Sequence, residues 1–234
     1  MKVVLFDLDG TLLPLDQDKF VKAYFLGLSK KLVHYGYNTD LLTKAVWQGT
    51  DAMIHNDGAA TNEEVFWKTA SSILGEKVLE DKKHFDDFYA NEFGLIKNEC
   101  GFNPEADKTV KELKRLGYRV AVATNPVFPH IATYSRLCWA GIDVNDVEFF
   151  TTYEDSHFCK PNLDYYREVL NRLNVSAQDC LMVGNDVDED MVARELGMSV
   201  FLLSDCLLNR HNKDISVYPQ GSFTELMKYI KEAK

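Results

Sequence analysis

The sequence predicts an α/β protein, a doubly wound, Rossmann-like parallel sheet with an all-helical domain inserted into it. Three observations lead there. A continuous apolar run, Val3-Val4-Leu5-Phe6, stops at an Asp-Gly turn; residues from about 16 to 98 carry helical spacing with no strand pattern; and helix and strand signals alternate through the second half.

The first run is too continuous for a half-exposed strand and reads as one buried on both faces of a parallel sheet. After it, Phe20, Tyr24, Leu28, Leu32 and Tyr35 fall along one helical face, and Thr61 with Glu64 forms a capping box. The aromatic residues of this stretch, among them Trp47, Phe66, Trp67, Phe85 and Phe88, are expected to form a small core of their own. In the second half Asn103 reads as an N-cap, Pro104 as the first helical residue and Gly117 as a stop, followed by a strand over 118–123. Further strands are expected at 149–151, 180–183 and 199–203, separated by helices near 131–140, 163–173 and 187–196. The expected domains are therefore 1–15 with 99–234 as the core and 16–98 as a helical cap, with hinges near 13–17 and 97–103.

Composition narrows the function classes. The 234 residues are 46% hydrophobic, enough for a packed interior, and the net charge of −10 disfavours broad binding to nucleic-acid polymers or anionic membranes. Five cysteines without a CxxC pair suit a reducing compartment. With no signal-peptide core and no apolar run near the roughly 18 residues of a membrane span, the expectation is an unprocessed, soluble, cytoplasmic protein.

Ligands of open α/β sheets bind outside the carboxyl ends of the strands, so the polar residues that end each expected strand are the candidate site. They are Asp7 and Asp9; Thr124 and Asn125; Lys160-Pro161; and Gly184-Asn185-Asp186. In this order they resemble the four motifs of the haloacid dehalogenase superfamily of hydrolases: Asp7-Leu8-Asp9-Gly10-Thr11, Thr124, Lys160-Pro161 and Gly184-Asn185-Asp186-Val187-Asp188-Glu189-Asp190. The helical insertion between the first two motifs is similar to that family's helical cap.

The resemblance implies a phosphatase of a small phosphorylated metabolite. Phosphoryl transfer needs an in-line nucleophile, neutralisation of phosphate charge and a proton for the leaving oxygen. Asp7 is expected to attack phosphorus and form an aspartyl-phosphate, with Asp9 first protonating the leaving alcohol and later activating water. Two such carboxylates repel by about 4 kcal/mol at about 4 Å and an effective dielectric of about 20. Magnesium is the expected cofactor, held by Asp7, Asp186 and, as the family implies, the backbone carbonyl of Asp9, with Asp190 supporting. Thr124, Asn125 and Lys160 are expected to hold the phosphoryl oxygens, and Pro161 to start a helix that places Lys160 at its N-terminus.

The fourth motif departs from the commoner form, because Asn185 stands where an aspartate usually follows the glycine; Asp188 reads as a solvated acid. His55, His130 and His157 have no ligand spacing, and Cys159 beside Lys160 reads as structural. Asp9 argues against a dehalogenase, whose halide leaves without a proton. A phosphomutase, a phospho-acceptor signalling module and a silent phosphate-binding protein remain alternatives. Substrate selectivity is assigned to the cap, with a turn expected at Trp47-Gln48-Gly49-Thr50-Asp51.

Overall fold

In the computed structural model, which describes residues 1–232, strand β1 (Val3–Phe6) is fully buried at the middle of a parallel sheet. Helices α1 (Gln17–Leu32), α2 (Thr39–Ile54), α3 (Asn62–Leu74), α4 (Lys77–Glu80) and α5 (Lys82–Ala90) follow before the chain returns to the sheet. The remainder alternates: α6 (Pro104–Arg115), β2 (Arg119–Val122), α7 (His130–Trp139), α8 (Leu163–Leu173), β3 (Cys180–Gly184), β4 (Ser199–Leu203), β5 (Gln220–Gly221) and α9 (Phe223–Glu232).

The sheet order is β2-β1-β3-β4-β5, with every pair parallel. Phe6 is in register with Val122 on one side and Val183 on the other, so the chain leaves all three strands at the same level. The chain passes from β1 to β2 on one flank and later to β3 on the other, which makes the end of β1 the switch point where such sheets open a crevice.

Local signals explain the helix ends. The Asp16 side chain accepts from the N–H groups of Asp18 and Lys19, Thr61 and Glu64 form the full capping box, and Asn103 caps α6 with Pro104 at its start. Phe20, Tyr24, Leu28 and Leu32 are buried along α1 as their spacing predicts, but Tyr35 belongs to a separate 3₁₀ turn (Val33–Tyr35), where it is exposed and stacked on His84. The two crossings between helical block and sheet lie side by side: Leu15 bridges Cys100, and the Gly101 N–H donates to the Pro14 carbonyl at 2.7 Å.

The helical block does not keep a core to itself. Phe93 packs against Phe20 and Phe88 on one side and against Phe128 and Trp139 of the α/β part on the other, within one continuous apolar cluster that reaches Phe6 and Val183. A layer with one apolar face must bury it against its neighbour, and these aromatics do so for both layers. Trp47 is 51% exposed.

Four further expectations are corrected. Residues 149–151 form only an isolated bridge of Phe150 to Val122, because the Thr151 hydroxyl turns inward to the Thr124 carbonyl. The region 187–196 holds a 3₁₀ helix (Met191–Leu196) rather than a full helix, and the Asp186 side chain closes the turn before it by accepting the N–H groups of Asp188 and Glu189. Lys160-Pro161 is a cis peptide ahead of α8, whose cap is Asn162, so Lys160 does not stand at the helix start. Trp47-Gln48-Gly49-Thr50-Asp51 lies inside α2; its glycine serves close packing, because a Cβ on Gly49 would strike the Phe66 ring of α3.

Candidate active site

Asp7 follows β1 directly, and its N–H continues the ladder to the Val183 carbonyl at 2.9 Å. Its Oδ1 accepts from Lys160 Nζ at 2.9 Å, and its Oδ2 lies 3.2 Å from the Thr11 hydroxyl. The turn after it closes through the Leu13 N–H to Leu8 carbonyl bond, with Gly10 at φ +84°. A side chain at Gly10 would be strained by that φ and would also collide with Asn185.

Asn185 is buried, and its position explains the departure in the fourth motif. Its Oδ1 accepts from Thr11 at 2.8 Å while its Nδ2 donates to the Cys206 carbonyl at 2.7 Å. A carboxylate cannot make the second bond, so the amide ties the Asp7 turn to the loop after β4.

Lys160 and Asp190 sit beneath Asp7. Lys160 Nζ donates to Asp190 Oδ1 at 2.7 Å as well as to Asp7, and Asp190 Oδ2 accepts the Asp186 N–H at 3.0 Å. Burial alone would lower the lysine pKa, but Asp190 and Asp7 outweigh it and leave the pKa raised, so the side chain is a fixed cation. Burial raises the Asp190 carboxyl against the pull of Lys160. Gly184 makes room for this pair, since a Cβ there would come within 2.7 Å of the Asp190 Cβ and closer still to its carboxylate.

Asp186 and Asp9 each meet an arginine that the sequence reading did not single out. Asp186 Oδ1 accepts from the N–H groups of Asp188 and Glu189 at 2.8 and 3.1 Å, and its Oδ2 pairs with Arg210, which also reaches Gln17 Oε1 at 3.1 Å. Asp9 Oδ2 pairs with Arg136, a side chain only 1% exposed that lies over the Phe128 ring and also bonds Thr133 Oγ1 at 3.1 Å. The other oxygen, Asp9 Oδ1, is buried without a hydrogen bond. Burial raises the Asp9 pKa, Arg136 opposes it, Asp7 adds to it and Lys160 opposes it.

Asp7, Asp9, Thr124, Asn125, Asp186 and Asp190 all border one cleft of about 280 Å³; Lys160 lies under its floor. The Thr124 carbonyl is fixed by Tyr165 at 2.8 Å and Thr151 at 2.6 Å. The Asn125 side chain braces the site: Oδ1 accepts the Lys160 N–H at 3.2 Å and Nδ2 donates to Glu189 Oε2 at 3.1 Å. Glu189 also borders the cleft, and burial lifts its carboxyl to about 7, with Lys160 opposing.

Asp188 is engaged by His211 and Lys213. All five cysteines are free, and burial pushes the Cys159 thiol up to about 12, which removes it as a nucleophile. Arg136 carried one readable signal, a cation on the face of α7 that buries Ala132, Thr133 and Leu137. Arg210, on a loop between β4 and β5, carried none.

Among the described residues no group of three or more His, Cys, Asp or Glu side chains is arranged to hold a metal ion. Magnesium is bound through one or two carboxylates completed by carbonyl, water and substrate phosphate. The hard oxygen donors of Asp7 and Asp186 bordering one cleft fit that requirement.

A family model described as haloacid dehalogenase-like hydrolase matches residues 1–197. The chain is 26% identical over 259 residues to a glyceraldehyde 3-phosphate phosphatase of Methanocaldococcus jannaschii, covering 100% of this chain and 99% of that protein. It is 27% identical over 211 residues to a phosphoglycolate phosphatase of Vibrio parahaemolyticus, covering 87% and 84%. Among solved structures, a 2-haloacid dehalogenase of Pseudomonas syringae shares the fold over 100% of both chains, with a TM-score of 0.65 at 19% identity. No described helix is long and apolar enough to cross a membrane.

Proposed function

Since the chain belongs to the haloacid dehalogenase-like hydrolases, we propose that it is a magnesium-dependent phosphatase of small phosphomonoesters working through an aspartyl-phosphate on Asp7. The observation that carries this reading is Asp9. Its carboxyl shares the cleft with Asp7, is raised by burial, and is anchored through one oxygen while the other is left free of protein partners. That is the state wanted of a group that must give up a proton and later take one. A dehalogenase has no use for it, and the fold shared with one does not weigh against it.

In the first half-reaction an Asp7 oxygen attacks phosphorus, the bond from phosphorus to the alcohol oxygen breaks, and Asp9 passes its proton to that oxygen. In the second, water attacks the phosphorus, Asp9 takes the water's proton, and Asp7 leaves as a carboxylate. Lys160, fixed by Asp190, offsets the charge on Asp7 throughout. Thr124 and Asn125 face the phosphoryl group from the end of β2. Asp7, Asp186 and the Asp9 carbonyl would hold magnesium, which supplies neutralisation of the phosphate oxygens. Residues 16–98 act as the cap that closes over the cleft. The names of the glyceraldehyde 3-phosphate and phosphoglycolate phosphatases support a small phosphorylated metabolite as substrate.

The test is phosphate release from a panel of phosphomonoesters with magnesium or with chelator, for the parent protein and for Asp7→Asn and Asp9→Asn. We expect no turnover without metal or Asp7, and a loss of roughly 10²- to 10⁴-fold without Asp9. Unchanged turnover of Asp7→Asn would remove the mechanism. Isomerisation without release of phosphate would replace the phosphatase by a mutase.

A further inference from the structure

Beside the Asp7 cleft lies a second space of about 170 Å³, enclosed by α1, α2, α3 and α5 and by the segment after β2. Its walls include Tyr24, Phe25, Phe66, Trp67, Phe85 and Tyr153. Phe20, Val21, Trp47, Thr50, Val127 and Phe128 border both spaces, so one wall runs from the reacting aspartates into the aromatic chamber. We propose that this chamber holds a flat heteroaromatic ring of the substrate, so that the ester cleaved at Asp7 is one whose alcohol carries such a ring. The proposal rests on the phosphatase reading above.

Size supports a ring. A dry apolar cavity of about 150 Å³ is large enough for benzene, and the chamber is slightly larger, while the neighbouring cleft has room for the phosphate. The alcohol part of a two- or three-carbon ester would leave the chamber unfilled, and its hydroxyls would lose water against an aromatic wall. The walls are also chemically matched, because aromatic faces pack best on another flat ring.

Polarity supports a heteroatom in that ring. The Trp67 indole N–H is buried and makes no hydrogen bond, although it acts on the nearby Tyr153 phenol. Asp86, exposed at the rim, supplies an acceptor at the same chamber. By contrast the Tyr24 and Tyr89 hydroxyls satisfy each other at 2.9 Å. An unmet donor and an acceptor around an apolar chamber are what orient a ring bearing nitrogen or oxygen.

The test compares kcat/KM for four esters with magnesium: 4-pyridylmethyl phosphate, benzyl phosphate, butyl phosphate and phosphoglycolate. The two ring esters should exceed the other two on the order of 10- to 100-fold, the factor that burying one ring provides, with the pyridyl ester at least equal to benzyl. Val46→Trp, which fills the chamber from α2, should collapse that ratio; its thermal unfolding establishes that it is folded, and the ester ratio of the parent protein decides the matter if it is not. Independently, 4-pyridylmethanol and benzyl alcohol are titrated into Asp7→Asn by calorimetry and tryptophan fluorescence. Turnover of all four esters at similar kcat/KM, or best turnover of phosphoglycolate, overturns the ring and leaves the phosphatase standing. Absence of turnover for every ester overturns the phosphatase; ring binding to Asp7→Asn that Val46→Trp abolishes then sustains the chamber as a ring site, and no binding removes that too.

Discussion

Arg136 has Asp9 as its charge partner and is otherwise wrapped by Phe128, Thr133 and the Ala132 carbonyl. Its charge pulls the Asp9 pKa down against burial, so removing it lets that pKa climb further. The sign for activity follows from the two duties proposed for Asp9. A higher pKa keeps the acid form to higher pH, moving the alkaline limb up, and delays the base form, moving the acid limb up as well. Arg136→Met is therefore expected to shift the pH–rate profile for kcat upward and lower its maximum, and Arg136→Lys to recover part of the shift; an unmoved profile would leave Arg136 with a packing role. Arg210 acts on the other carboxylate. It is 45% exposed and occupies one oxygen of Asp186, so it competes with any cation brought there. An exposed ion pair is worth up to about 1 kcal/mol, and Arg210→Ala should tighten magnesium binding by up to about fivefold in calorimetry.

At the scale of elements, the site is a property of where strands stop. Gly184 closes β3 with its Cα against Asp190, the residue that holds Lys160 under Asp7. Gly184→Ala must push that carboxylate aside; a cost of about 1–3 kcal/mol is expected in thermal unfolding, together with a fall in kcat larger than the change in KM. These strand ends were legible in the sequence because buried parallel strands are apolar runs, and Asp7, Thr124 and Asn185 follow such runs directly. The caps at Thr61 and Asn103 were legible because a side-chain oxygen must meet the first free N–H groups. The segment 187–196 departs from expectation because spacing records which face is apolar and not how tightly the turns wind, and only Met191–Leu196 winds, as a 3₁₀ helix. Arg136 and Arg210 escaped for a related reason: each meets its acid across more than 20 residues of chain.

Over the whole molecule the charge of −10 is not carried into the site. Four of the acids there, Asp7, Asp9, Asp186 and Asp190, are met by three cations, Lys160, Arg136 and Arg210, and burial lifts the fifth, Glu189, to about 7. Protein cations thus already stand where metal charge is wanted, so under the proposed mechanism magnesium would serve turnover rather than folding. Chelation should abolish activity while the far-ultraviolet circular dichroism stays native; loss of the fold on chelation would contradict this balance. The apolar cluster that joins the helical block to the sheet has a different consequence. Phe20 and Phe128 belong to it and also wall the chamber and the cleft, so they answer to two demands at once. Mutational freedom is therefore uneven across the molecule. Descendants of this sequence can explore new substrates through Trp47 and Thr50 at the mouth without endangering the fold, whereas a change of diet that calls on Phe20 or Phe128 has to be preceded by a gain in stability elsewhere.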